Sequence, residues 1–290
     1  MNGVLNIDKP TGMTSHDVVG RIRRLASMKR VGHAGTLDPD ATGVLLVCLG
    51  QATRIADYLA NEGKAYRASL ALGVTTSTED SSGEVLTRAD ASHLTEAHLA
   101  AVLPQFIGEI AQTPPMVSAV HHEGKRLYEL ARQGITVVRA ARAITIERIA
   151  LSGFTPGEIA LATLDVVCGK GTYIRTLCAD IGAALSVGGH MAALRRTRIG
   201  SFSIDSAVPL ADLTPDLLSQ HLISSVQALA SFPSYHLTDE VEADDIRHGR
   251  SLLTSISEAP VVCIVDSENE LLALGRSDGE RLHPFKVFGS

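Results

Sequence analysis

Asp38 lies between Leu37 and Pro39 in VGHAGTLDPDATG, a run too rich in Gly, Asp and Pro for helix or strand. An unperturbed aspartate has a pKa of about 3.9, so at neutral pH it is charged and can attack an electrophilic carbon or stabilise a developing cation without an activating base. Asp-Pro also initiates turns, and on these residues alone both readings stay open. Other chemistries find less support. GKGT at 169–172 superficially resembles a phosphate-binding loop, but Lys170 is followed by Gly171 rather than Ser or Thr, and the upstream glycine is missing. No G-x-G-x-x-G follows a strand and no G-x-S-x-G elbow exists, which weakens dehydrogenase and hydrolase readings. Cys48, Cys168, Cys178 and Cys263 form no CxxC pair, and at least three sit in apolar runs, so they are expected to be small buried hydrophobes. The adjacent His121 and His122 lie beside Glu123 in a polar stretch, and no metal site is expected.

The elements that must position Asp38 can be read from periodicity. VLNID is a short strand, broken by Pro10 and Gly12. Thr14 and Asp17 have capping-box spacing, and Val18, Val19, Ile22, Leu25 and Ala26 form one apolar stripe, predicting a helix over 15–27. Residues 31–43 are expected to be a shaped loop, followed by the buried strand VLLVCL. TRIADYLAN predicts a helix ending at Gly63; AYRASLALG then alternates, placing Tyr66, Ala68, Leu70 and Leu72 on one strand face. QTPPMVSAVHHEGKRLYELARQG opens with a double proline and predicts an excursion from the sheet. IALATLDVVC is a strand, GKG a turn, and TYIRTLCADIG a helix with Ile174, Leu177, Cys178 and Ile181 inward and Arg175 beside them near its start. A domain boundary falls at 232–235, beyond which VVCIVD and LLALGR flank the turn SENE.

The 290 residues, 45 % of them hydrophobic, can build one large domain with or without a small one. No apolar run reaches the roughly 18 to 20 residues of a membrane span, and the first residues carry no signal pattern, so a cytoplasmic location is expected. A net charge of -6 argues against an indiscriminate nucleic-acid binder. The charges are segregated, however: basic residues gather at 21–30, 125–142 and 195–198, acidic ones at 239–245, which permits a local phosphate-binding face.

RVGHAGTLDPDATGVLLVCLGQATR resembles the catalytic signature of the TruB-type tRNA pseudouridine synthases, in which the aspartate followed by proline is catalytic. The similarity continues through GVLNIDKPTGMTSHDVV, AYRASLALGVTTSTED, PPMVSAVHHEGKRLYELAR, GTYIRTLCADIG and HMAALRRTRIG, covering most of residues 3–200 in the family's order. IRHGRSLL and LHPFKVF resemble the small PUA-like RNA-binding domain that ends this family.

The resemblance implies an α+β fold with a mixed, largely antiparallel sheet flanked by helices. It implies a catalytic domain over 1–232 with an RNA-clamping insertion at about 113–142, and a PUA-like domain over 233–290. The implied activity is isomerisation of uridine 55 in the T-loop of tRNA, with no cofactor, no metal and no obligatory protein partner, by a monomer. Asp38 would be the reacting carboxylate, Arg175 its ion-pair partner, and Tyr66 the aromatic stacked on uracil. His33 would fill the space left by the extruded base, Tyr173 and Leu194 would line the uracil pocket, and Lys9, Lys125, Arg126 and Arg132 would contact RNA. The His121-His122-Glu123 run departs from the family pattern, which puts the strength of the clamp in doubt. Two other readings share these motifs: a tRNA-binding module without chemistry, and a guide-dependent synthase working inside an RNA-protein particle.

Overall fold

In the computed structural model, residues 1–118, 121–122, 124–127, 130 and 133–288 are described. The chain divides into two compact units, one of residues 1–38, 45–60 and 200–290, the other of residues 39–44 and 61–199.

In the first unit the Gly3–Lys9 strand runs parallel to Val208–Pro209, with Ile7 opposite Val208. The Ser15–Leu25 helix starts where the sequence predicts: the Thr14 side chain accepts from the Asp17 backbone N–H, and the Asp17 carboxylate accepts from that of Thr14. Val18, Val19 and Ile22 then pack on Leu5, Ile7, Leu45 and Val47, all nearly or fully excluded from water. Residues 31–34 correct the expectation of a loop: Val31–Ala34 is a strand, antiparallel to Leu46–Leu49. The pairing partner, not local propensity, decides this four-residue segment. From 234 onward a separate five-stranded sheet forms, including Ala259–Val265, Leu271–Ser277 and Arg281–Val287, with the Glu240–Arg247 helix. Ile246, Val262, Ile264, Ala273 and Leu282 give it its own core.

The second unit is built around the Lys64–Leu72 strand, flanked antiparallel by Ala160–Cys168 and Gly189–Ile199. Arg142–Thr155 and Gly108–Gln112 continue the sheet antiparallel. Thr42 and Gly43 pair parallel with Arg195 and Arg196, so the sheet is mixed but mostly antiparallel, as expected. Gly43 has φ +99°, and a Cβ there would sit 2.1 Å from the Arg196 carbonyl oxygen, so only glycine allows this pairing. The Ile174–Ala184 helix turns Ile174, Leu177, Cys178 and Ile181 inward, the stripe read from sequence. At its end Gly182 lets the helix approach the next strand, since a Cβ would lie 2.3 Å from the Gly189 nitrogen. All four cysteines are buried and unpaired with one another, as expected. Among the described residues no helix is long and apolar enough to cross a membrane.

Candidate active site

Asp38 and the residues that lead into it belong to the first unit. Ser15, the first residue of its helix and 2 % exposed, grips Leu37 twice: its Oγ accepts from the Leu37 N–H at 2.9 Å and donates to the Leu37 carbonyl at 3.2 Å. Leu37 is itself buried, so the residue before Asp38 is held on both backbone groups and by its side chain. Asp38 is half-buried and is the last residue of the first of the three segments that make up this unit. His33, also half-buried, lies opposite Val47 on the short strand. Lys9, expected to contact RNA, is fully buried, and its ammonium donates to the carbonyls of Pro10 and Met13 at 2.9 and 2.6 Å. That geometry ties down the turn before the helix.

Arg175, Tyr173, Tyr66 and Leu194 belong to the second unit. Arg175 occupies the first turn of its helix yet is 5 % exposed. Its Nη1 lies 3.4 Å from Asp80 Oδ2 and donates to the Thr78 carbonyl, while Nη2 donates to the Val117 carbonyl at 2.9 Å. Asp80 is prepared for this by its neighbours: Oδ1 accepts from the Thr78 and Ser82 hydroxyls, both at 2.6 Å, and from the Ser82 N–H. Oδ2 is thereby aimed at the guanidinium. Tyr173 is the N-cap of the helix, fixed by the Gln112 side chain, which accepts from its N–H and donates to its carbonyl at 2.8 and 3.0 Å. Gln112 is 1 % exposed, so this pair of bonds is buried, with one bond at each end of the amide.

Tyr66, 8 % exposed, is on the apolar face of its strand, as the alternation predicts, and stands opposite Arg196. Arg196 is 1 % exposed; its Nε donates to the Val44 carbonyl at 2.7 Å and it shares a side-chain hydrogen bond with Tyr66. Burial pulls its pKa down and the Tyr66 oxygen works against that shift. Arg196, grouped by sequence with a possible phosphate-binding face, is therefore interior. Leu194, half-buried, lies opposite Ala68, and its carbonyl accepts from the Thr42 hydroxyl at 3.5 Å. Lys64 beside them is pushed down to about 8, first by burial and then by the charge of Arg196. In the excursion, His121–His122 pairs antiparallel with Lys125–Arg126, while Arg132 lies outside the described residues.

The structure thus joins Arg175 to Asp80, Tyr173 to Gln112, and Tyr66 to Arg196 within one unit. Asp80 and Gln112 carried no role in the sequence reading. For Asp80 a signal existed: Thr78 and Ser82 at two residues on either side are the hydroxyls of side-chain turns. Gln112 sits among residues with no such spacing.

The sequence and the mixed-sheet fold have counterparts among known proteins. The family model described as TruB family pseudouridylate synthase, N-terminal domain, matches residues 23–174, and that described as tRNA pseudouridylate synthase B C-terminal domain matches residues 175–229. The chain belongs to the TruB family of pseudouridylate synthases. It is 53 % identical to the tRNA pseudouridine synthase B of Clostridium perfringens over 232 residues, 80 % of this chain and 78 % of that relative. It is 43 % identical to the Thermobifida fusca protein of the same name over 99 % of this chain and 98 % of the relative. A chain in the crystal structure of a Cbf5-Nop10-Gar1 complex shares the fold with a TM-score of 0.75 and 29 % identity, over 99 % of this chain and 85 % of that one.

Proposed function

We propose that this chain converts uridine 55 in the T-loop of tRNA to pseudouridine as a stand-alone monomeric enzyme, with Asp38 as the reacting carboxylate. The relatives at about half identity are named as tRNA pseudouridine synthases, which supports tRNA as the substrate. The observation that carries the chemical reading is Arg175, a guanidinium kept almost wholly out of water at the start of its helix. A buried arginine stays charged and favours the ionised form of any carboxylate brought near it.

In the reaction the bond between uracil N1 and ribose C1′ breaks with its electron pair leaving on the base. The carboxylate of Asp38 answers the positive charge at the sugar. The base turns in the pocket, C5 bonds to C1′, C5 loses its proton and N1 gains one, so no atoms are added or removed overall. Tyr66 stacks on the uracil and is held by its hydrogen bond with Arg196. Tyr173 and Leu194 line the pocket, and His33 takes the place vacated by the base. Extruding the uridine costs roughly a few kcal/mol, offset by protein contacts. Lys125, Arg126 and Arg132 on the 113–142 insertion contact phosphates without reading sequence. The 233–290 segment serves as the PUA-like RNA-binding part.

A second reading, a guide-dependent synthase, draws on the likeness to a chain of an H/ACA RNP, with a TM-score of 0.74 but 28 % identity. The higher identity to the tRNA pseudouridine synthases named B favours the stand-alone reading. Release of tritium from tRNA labelled at uridine C5, by the purified chain without guide RNA, tests both. Turnover by the parent, and none by Asp38→Asn with RNA binding retained, is expected. An active Asp38→Asn variant removes the mechanism, and a parent that binds tRNA but releases no tritium removes the stand-alone activity.

A further inference from the structure

The turn that presents Asp80 also grips the helix of Arg175 at a second point. Glu79 Oε2 accepts from the Thr176 hydroxyl at 2.6 Å, and Thr176 is only 5 % exposed. Two consecutive residues of the turn, 79 and 80, thus engage two consecutive residues of the helix, 176 and 175. The same turn is fastened to the neighbouring strand on its other side. Glu79 accepts through its carbonyl from the Met191 N–H at 3.0 Å, and Ser81 donates from its N–H to the Met191 carbonyl at 3.2 Å and from its hydroxyl to the Ala192 carbonyl at 3.0 Å.

Glu79 achieves this at a backbone cost. Its φ is +63°, a left-handed conformation that L side chains rarely adopt and that glycine would enter freely. A glutamate kept there must return something through its side chain. Its carboxylate lies at the first turn of the helix, where negative charge is favoured. Burial first, and then the charge of Glu79, raise the nearby Asp180 carboxyl to about 6.

We propose that Glu79, acting through Thr176, is a positioning residue that sets the distance between the Asp80 carboxylate and the Arg175 guanidinium. Without the Glu79–Thr176 bond, the turn meets the helix through the long Arg175 side chain, at Thr78 and Asp80, and can shift along the helix by fractions of an ångström. The 3.4 Å approach of Nη1 to Oδ2 has little margin for such a shift. This inference rests on the reading of Arg175 as the group that keeps Asp38 ionised.

The test uses the full chain and tRNA tritiated at uridine C5, at a temperature well below melting. Thr176→Val is expected to lower kcat about five- to tenfold with KM within twofold, and Thr176→Ser to restore kcat to within twofold. Glu79→Gly relieves the left-handed strain, so its melting temperature should hold or rise while kcat falls as in Thr176→Val. A purely structural role would give the opposite sign. In an Asp80→Asn background Thr176→Val should cost nothing further, because the pair it sets is already broken. Unchanged kcat in both Thr176→Val and Glu79→Gly, or full additivity with Asp80→Asn, overturns the proposal. Absence of tritium release from the parent chain would instead remove the functional reading on which it rests.

Discussion

Arginine meets carboxylate in two very different surroundings in this chain. In the unit of residues 39–44 and 61–199, the Arg175 and Asp80 side chains are 6 % and 15 % exposed and 3.4 Å apart. In the C-terminal part of the other unit, Arg247 meets Glu240 with 44 % and 78 % exposed, and Arg250 meets Asp245 at 2.8 Å with 62 % and 31 % exposed. The exposed pairs are the closer ones, yet distance is the poorer guide. In water two charges are well solvated apart, and holding two long side chains together consumes the modest Coulomb gain. Inside, both charges have already lost their hydration, and each depends on the other and on surrounding hydrogen bonds. The buried pair is accordingly wrapped by carbonyls of Thr78 and Val117 and hydroxyls of Thr78 and Ser82. The pairs on the Glu240–Arg247 helix have no comparable setting.

Removing Arg175 is the strongest way to break this contrast. Arg175→Met keeps much of the volume but leaves Asp80 in the interior without its cation, and should lower stability by about 3 kcal/mol. Thermal unfolding should then shift down by roughly 6 to 12 °C for the unit concerned. A loss below about 1 kcal/mol would place Arg175 with the surface pairs.

Lys64 sharpens the same contrast through pH. Folded, its ammonium donates to the Glu62 carbonyl and gives up its proton near 8, because burial and then Arg196 disfavour the charge. Unfolded, it holds the proton to about 10.4. Between those values the unfolded chain binds more protons, so this group makes stability rise with pH, by about 3 kcal/mol in total. The buried cysteines pull the other way. Cys48 and Cys178 are pushed up to about 12, and their unfolded forms ionise first. The comparison of parent with Lys64→Met isolates the lysine, since the cysteines are common to both. Urea midpoints from pH 7.5 to 10.5 should fall more steeply in the variant, and parallel curves would contradict the burial of that charge.

The sequence displays these two environments unequally. The Thr14–Asp17 box, the inward stripe of 174–181 and the parity of Tyr66 were legible because one local period or one spacing decides each of them. The Gly189–Ile199 strand was not, for a geometric reason. Its buried positions are 189, 191, 196 and 199, because register shifts at Met191/Ala193 and Arg196/Arg198 break the alternation a strand normally shows. Three arginines in that segment suggest a solvated face, whereas Arg196 lies inside. The aspartate at 38 stands out by its loop composition and the match to the family signature. The Asp80 partner of Arg175 lies 95 residues away in sequence, and only the pairing of strands and helix brings them together.

In the exposed region a directed backbone bond should count for more than an ion pair. Asp239 is the N-cap of the Glu240–Arg247 helix, its Oδ1 accepting from the Glu242 N–H at 2.9 Å. Asp239→Ala leaves that donor without its cap, at a cost of about 1 kcal/mol.

The smallest effect belongs to Arg247 itself. It reaches Glu240 seven residues back, two turns along the helix, so both side chains must extend and surrender rotamer freedom to meet. The favourable placement of a cation in the last turn persists wherever the guanidinium swings, and at an exposed site it is weak. Arg247→Ala should therefore leave stability almost unchanged, and any small loss should vanish in 1 M salt, where the screening length is about 3 Å. Glu240→Gln should match it, since neither charge is stranded when the other is removed. The Asp239→Ala loss should survive the same salt, because a hydrogen bond to a backbone N–H is a contact and not a field. Equal salt sensitivity of the two variants would mean that the cap acts chiefly by its charge, and the distinction between bond and ion pair on this helix would fail.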